Sequence, residues 1–535
     1  MSEMLAHAVG PRLPAIRDIT LGDLLREAAE TVPDRIALIS GNKNPVLRRS
    51  WTYRELYLQS YLASRVLAQK FESGQRVAVF APNSPEWVML EFACAMAGVI
   101  MVTINPAYRA QEVTYVLTQS RSSGVFLVPE YRGNRLLDTI QNVRNNCPDL
   151  REIIRLDQWS EFLAMNNGTH LPERDVSPED PVMIQYTSGT TGFPKGALLH
   201  HKGLVNNAAH TLDRMQAKDG LVWLSFMPLF HTGGCVVCVL GAVAFRATQV
   251  LMERFEAGLA LELIEQYGVN AFNAVPTMLN AMLEHPDYAN RDLSSLDVLT
   301  SGGATVPMEL VKVIEKEWGA NVTIIFGQTE CSPVASMTRP DDSREDKTTT
   351  LGRPMPNTEA KIIDPKTGRT VACGVLGEFC TRGYHVMHRY FEMIDATATA
   401  IDDEGWLHTG DLCSMDERGF SKIEGRLKDM IIRGGENIFP RELEELLFRH
   451  PTVGDVAIVG LPDDYLGEKV AAFLRPAPGQ KMDRETLFAY LREHLSAHKT
   501  PSHWYELNQF PLTGSGKVQK FELRRMWEAG GLNEM

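Results

Sequence analysis

The sequence predicts an α/β protein with a large N-terminal body of α/β sheets, a small β-barrel-like subdomain, and a small α+β unit at the C-terminal end. Three observations lead there. Over roughly the first 350 residues, short apolar runs alternate with helical stretches, as in sheets whose strands are joined by crossover helices. Beyond that point short β-rich pieces alternate with Gly and Asp turns. After Gly425-Arg426-Leu427-Lys428-Asp429 a compact module of about a hundred residues follows, an ordinary domain size. The chain is therefore divided into residues 1–427 and 428–535.

Arg76 to Phe80 is a strand by its run of small and branched apolar residues. Ser84 and Pro85 then supply an N-cap and a first-turn proline, opening a helix through Ala97 that Gly98 stops. Val99 to Ile104 is the next strand, and a right-handed crossover makes the pair parallel. Val125 to Val128, a helix near Asn134 to Val143, and Val322 to Phe326 repeat the pattern more loosely. Ala360 to Ile363, Gly377 to Cys380 and Phe420 to Glu424 are the β-rich pieces. In the last module Pro440 opens a helix with Leu443, Leu446 and Leu447 on one face. Val456 to Val459 and Ala471 to Leu474 are strands, a helix runs near Arg484 to Leu495, and an amphipathic one follows Lys520.

Composition excludes several classes. A net charge of −13 over 535 residues repels polyanions, so no nucleic-acid partner is expected. Met1 to Thr20 has no basic start followed by an apolar core, and the longest apolar run, Gly233 to Phe245, is too short to span a bilayer. Eight scattered cysteines fit reduced thiols in the cytoplasm. Cys235 and Cys238 have redox spacing but sit in an apolar run, which favours core packing.

The chemistry concentrates in a few stretches. Val182 to Tyr186 is a short buried strand running into Thr187-Ser188-Gly189-Thr190-Thr191-Gly192-Phe193-Pro194-Lys195. Glycines turn backbone N–H groups inward, hydroxyls donate, and the lysine adds a charge, so the loop suits a polyphosphate. Its spacing is not that of a Walker A loop. Phe326-Gly327-Gln328-Thr329-Glu330 lies at the carboxyl end of a strand, where α/β sheets bind ligands, and a carboxylate beside a triphosphate suits Mg²⁺. Asp411 follows a glycine turn and can accept hydrogen bonds from two vicinal hydroxyls. Pro511 to Lys517 presents a lysine on a glycine-flanked loop.

Taken as a series, these stretches resemble the adenylate-forming superfamily of acyl-CoA synthetases, adenylation enzymes and firefly luciferase, and they are most similar to medium-chain fatty acyl-CoA ligases. The resemblance spans nearly the whole chain. It implies that Thr187, Ser188, Gly189, Thr190, Thr191, Gly192 and Lys195 cradle the ATP phosphates, and that adenine lies on Gly302-Gly303-Ala304 with Phe326 stacking and Gly327 and Gln328 beside it. Phe326 stands where most relatives carry Tyr, so stacking is expected without a hydroxyl contact, and Gln328 is also less usual. Thr329 would contact the α-phosphate, Glu330 would ligate Mg²⁺, and Asp411 with Arg426 would bind the ribose. Lys517 would be the lysine of the adenylation step. Lys428 would be the hinge of a mobile C-terminal domain, and Gly434 and Gly435 would form part of the channel for CoA. His231 would orient the carboxylate, with Cys235, Val236, Met278 and Ser301 lining the acyl pocket. The implied function is an ATP-dependent carboxylate–CoA ligase for a medium-chain or bulky hydrophobic acid. The alternatives are loading of a carrier protein's phosphopantetheine and a non-catalytic nucleotide-binding regulator. Monomer and homodimer both remain open.

Overall fold

The computed structural model describes residues 4–166, 173–187, 194–303, 306–512, 518–532 and 534–535. Two large sheets form the body. The first runs Arg389–Tyr390, Lys195–His200, Pro181–Thr187, Ile100–Ile104, Arg76–Phe80, Ser122–Leu127, Glu152–Arg155. It is parallel from Pro181–Thr187 onward, with Arg76 opposite Ile100, as the crossover reading requires. The connecting helix is Pro85–Met96, capped by Ser84, whose hydroxyl accepts from the Trp87 N–H at 3.1 Å. Trp87, Leu90 and Phe92 of that helix are fully buried, and the core continues from Val77 and Met101 on one sheet to Leu38 and Leu251 on the other.

The second sheet has nine strands, with Asn321–Gly327, Val298–Gly302, Ala271–Ala274, Val222–Ser225, Thr248–Leu251 and Ile36–Ser40 parallel at its centre. Val322 to Phe326 thus belongs to a different sheet from Arg76 to Phe80, although the two segments read alike. Two early strands, Ile36–Ser40 and the edge strand Ser50–Thr52, complete a sheet made mostly of residues beyond 220. Such pairing leaves no local trace, because a strand's pattern reports which face is buried and not its neighbour.

A third, antiparallel sheet carries His7–Val9, Thr358–Ile363, Gly377–Gly383, Leu407–Met415 and Ser421–Arg426 in that order. The fourth uses only strands from Ile431 onward and is built on the long hairpin Val453–Asp463 with Gly467–Pro476. Pro440–Phe448 packs on it through fully buried Leu443 and Leu447. The Lys520–Glu528 helix is not simply a solvated charged face: Lys520 pairs with Glu444 at 2.6 Å and Arg524 with Glu468 at 3.7 Å.

The apolar run Gly233 to Phe245 is a buried π-helix, Gly233–Leu240, continued by Gly241–Ala244. Cys235 and Cys238 are fully buried and unbridged, and burial pushes the Cys238 thiol up to about 12.

One buried arginine ties the layers together. Arg214, 4% exposed at the end of the His201–Arg214 helix, donates to the carbonyls of Pro354, Met337 and Arg353 at 3.2, 3.3 and 3.2 Å. Burial lowers its guanidinium to about 10. Arg214→Met removes three hydrogen bonds from a charged donor to buried carbonyls and should cost about 3 kcal/mol, read as a lower midpoint in urea; an unchanged midpoint would remove the clamp.

Candidate active site

Strand Asn321–Gly327 ends in a single 3₁₀ turn, Thr329–Cys331, which presents Glu330. Gly327 is required there, since a Cβ would stand 1.9 Å from the Pro333 carbonyl oxygen. Asn207 clamps the returning chain: its amide donates to the Val334 carbonyl at 2.7 Å and accepts from the Val334 N–H at 3.0 Å. Thr329 and Glu330 are 8% and 7% exposed. The Tyr390 hydroxyl donates to Glu330 Oε1 at 2.6 Å, and Lys195 Nζ lies over the Tyr390 ring, 4.9 Å from its centre. Tyr390 belongs to Arg389–Tyr390, the edge strand paired with Lys195–His200. The first sheet therefore delivers both Lys195 and the tyrosine that orients the second sheet's carboxylate. Burial holds the phenol above its ordinary range, so it stays a donor.

The third sheet contributes Asp411, 1% exposed, opposite Arg426 in the strand register. Arg426 Nε donates to Asp411 Oδ1 at 2.9 Å, and that carboxylate holds the guanidinium above its usual range. Gly410 precedes Asp411 at φ +71°, and its N–H donates to Glu378 Oε1 at 2.9 Å. His408 reaches the other oxygen of Glu378 at 3.0 Å and Asp402 at 3.6 Å. Lys428 lies close enough to be influenced by Arg426, Asp411 and Glu330, and burial lowers its ammonium.

His231 caps the π-helix, its Nδ1 accepting from the Gly233 N–H at 3.2 Å. Val236 is fully buried. Cys235 is buried with it and packs on Gln185, whose amide lies 3.0 Å from Sγ. Met278 is half-buried beside the second core cluster. Ser301 is buried with no partner for its hydroxyl among the described residues, and Gly302 admits the backbone of the next strand, a Cβ there standing 2.4 Å from the Ile325 carbonyl oxygen. Gly303 takes φ +76°. Phe326 is half-buried, edge-on to Phe379 at 5.3 Å, with the exposed Gly327 and the half-buried Gln328 next to it. Gly434 and Gly435, at φ +59° and +85°, form the two-residue turn of the hairpin Ile431–Arg433 and Glu436–Ile438, a geometry that demands glycine for its own sake.

Ser188, Gly189, Thr190, Thr191, Gly192, Ala304 and Lys517 lie outside the described residues. Thr187 ends the strand that enters the loop. Among the described residues, Glu330, Lys195, Asp411, Arg426 and Lys428 gather in one region. Sequence reasoning missed Tyr390, Glu378, Asn207 and Asn273. The pairing of Glu378 with the Gly410 turn is a cross-strand contact with no local signature, and Tyr390 reads as an ordinary strand aromatic.

The residues present suit a nucleotide and its metal. A buried aspartate backed by arginine fits a ribose, and a carboxylate with one oxygen tied to a phenol keeps a second for a hard cation. The chain belongs to the AMP-binding enzyme family, which it matches over residues 25–391, and residues 442–517 match the C-terminal domain of the same enzymes. It is an AMP-forming acid–thiol ligase of the acyl-CoA synthetase type, which makes an acyl-adenylate with ATP and passes the acyl group to CoA. It is 38% identical to the Bacillus subtilis protein YngI, named as an acyl-CoA synthetase, over 94% of this chain and 96% of that one. It is 33% identical to the human mitochondrial medium-chain acyl-CoA ligase ACSF2, over 98% and 90%. The B. subtilis o-succinylbenzoate CoA synthetase bound to its acyl-adenylate superposes with a TM-score of 0.81 at 27% identity, covering 95% of this chain and 99% of that one. That enzyme is also known with ATP and a magnesium ion. No helix among the described residues is long and apolar enough to cross a membrane.

The hydrogen bond that His408 donates to the Glu378 carboxylate raises the imidazole above its ordinary value near 6.5. The stabilisation is therefore complete below about pH 6.5 and disappears as pH rises through the raised value. Thermal unfolding of His408→Gln against wild type should show a gap at pH 6 that narrows by pH 9; a pH-independent gap would contradict the pairing.

Proposed function

We propose that the protein activates a hydrophobic carboxylic acid, of medium chain length or comparable bulk, and transfers it to CoA in two half-reactions around one bound adenylate. The convergence of Glu330, Lys195 and the Asp411–Arg426 pair supports this reading, with an apolar helix beginning directly after His231. A carboxylate is a poor electrophile because its leaving group would be oxide. Attack of the carboxylate oxygen on the α-phosphorus forms a mixed anhydride and expels pyrophosphate. Attack of the CoA thiol on the activated carbonyl then forms the thioester and expels AMP, the thiol proton passing to solvent.

Asp411 and Arg426 would hold the ribose, Thr329 the α-phosphate, and Phe326 the adenine face. Glu330, oriented by the Tyr390 hydroxyl, would hold Mg²⁺, which supplies neutralisation of phosphate charge. Lys195 and the hydroxyl loop before it would steady the β- and γ-phosphates. Lys517 would stabilise charge growing on the α-phosphoryl group. The second step needs different neighbours around the same adenylate. Rotation of residues 428–535 about Lys428 would withdraw Lys517 and bring the Gly434-Gly435 turn forward. Carrier-protein loading uses the same pantetheine arm and is the second reading. A CoA-dependent assay beside a holo-carrier assay separates them.

Lys517→Ala should reduce pyrophosphate release more than a hundredfold while thioester formation from supplied adenylate stays within a few-fold. Equal loss of both steps would refute the assignment. Tyr390→Phe should raise KM for Mg·ATP roughly tenfold, the scale of a hydrogen bond to a charged group, and leave KM for the acid unmoved. An unchanged Mg·ATP KM would take Tyr390 out of the site.

A further inference from the structure

Asn273 occupies a position where an asparagine is unexpected. It lies in the centre of a parallel strand, Ala271–Ala274, is 4% exposed, and belongs to a residue type depleted from strands. Its neighbours on the same face are also polar, and each has a partner. Thr300 and Thr323, next in register, donate to the Thr323 and Leu299 carbonyls at 3.3 and 3.2 Å. Ser225, which like Asn273 stands two residues beyond the paired Trp223 and Ala271, accepts from Gln249 at 2.8 Å. The Asn273 amide alone in this row makes no hydrogen bond among the described residues.

The amide lies close to the bare side of Gly233 and to His231. A Cβ built on Gly233 would stand 3.5 Å from His231 Nδ1, 3.6 Å from Met227 Cε and 3.8 Å from Asn273 Nδ2. These are ordinary contact distances, so His231, Met227 and the Asn273 amide border the bare side of Gly233, where the missing side chain leaves methyl-sized room. His231 does not engage the amide through Nδ1, since that nitrogen already accepts the Gly233 N–H. A plain alkyl chain passing here would strip water from a buried amide and return nothing, whereas an oxygen would restore the lost hydrogen bond.

We propose that Asn273 selects acids carrying a hydroxyl or keto oxygen within a few bonds of the carboxylate, and disfavours the unsubstituted chain. The inference rests on the acid-activation reading above and refines its substrate class. Asn273 is a specificity residue that would touch the acyl group without taking part in bond making.

The test compares kcat/KM in AMP-forming turnover for octanoate and its 3-, 5- and 7-hydroxy and oxo derivatives. With wild type, a 3- or 5-oxygenated acid should exceed octanoate by about tenfold or more, and the 7-oxygenated acids should not. Asn273→Leu should erase that preference and raise octanoate turnover, while KM for ATP stays within twofold. Its melting temperature should hold or rise, because an amide without a partner contributes nothing to the fold. Asn273→Ser, which keeps a hydroxyl, should retain part of the preference. Octanoate preferred throughout, or a fall in both melting temperature and turnover of every acid alike, would overturn the proposal. Absence of AMP formation with any acid would remove the acid-activation reading itself, and this inference with it.

Discussion

A carboxylate that water scarcely reaches sets the terms for this site. Removing an ionised aspartate from water is costly, and a single guanidinium repays that cost only when geometry holds the pair together. Here the antiparallel register does so, placing Arg426 across from Asp411 on neighbouring strands. Two residues past Arg426 comes Lys428, within the field of the same aspartate and of Glu330. The electrostatic centre of the larger lobe and the start of the C-terminal sheet are therefore neighbours in sequence and in space.

No single sheet owns the constellation. Glu330 hangs from the end of one parallel sheet, Lys195 and Tyr390 belong to the other, and Asp411 and Arg426 come from the antiparallel sheet. The sheets share their burial, Trp87 and Phe379 lying in one apolar cluster and Phe272 in a second, so the site is backed by packed cores that cross from sheet to sheet. Behind it lie histidines kept neutral by burial, His200 down to about 4 and His385 to about 3. Their contribution is complete above about pH 6.5 and lost as pH falls toward those values, the opposite sense to His408.

Much of the local structure was legible. The capped helix after Ser84, the parallel pair around it, the leucine face of Pro440–Phe448 and the long C-terminal strands all follow from periodicity and capping, and appear within a few residues of expectation. The π-helix was not legible, because a run that is apolar on every side carries no period to read. In sequence the glycines point to room for a ligand. In the structure Gly302 and Gly327 answer first to backbone crowding, and Gly434 with Gly435 to a hairpin turn.

What the sequence determined alone was the chemical inventory: a hydroxyl and glycine loop ending in Lys195, the Thr329-Glu330 pair, Asp411 after a glycine, and a late lysine at 517, in an order that resembles a known family. These are local strings, and residue type with spacing suffices to recognise them. Only the tertiary structure decided that Tyr390 steadies Glu330, that Glu378 holds the turn before Asp411, and that Asn273 faces the space beside His231. Those contacts join residues some thirty to sixty positions apart. Strand order and register create them, and neither is written in any one segment of the chain.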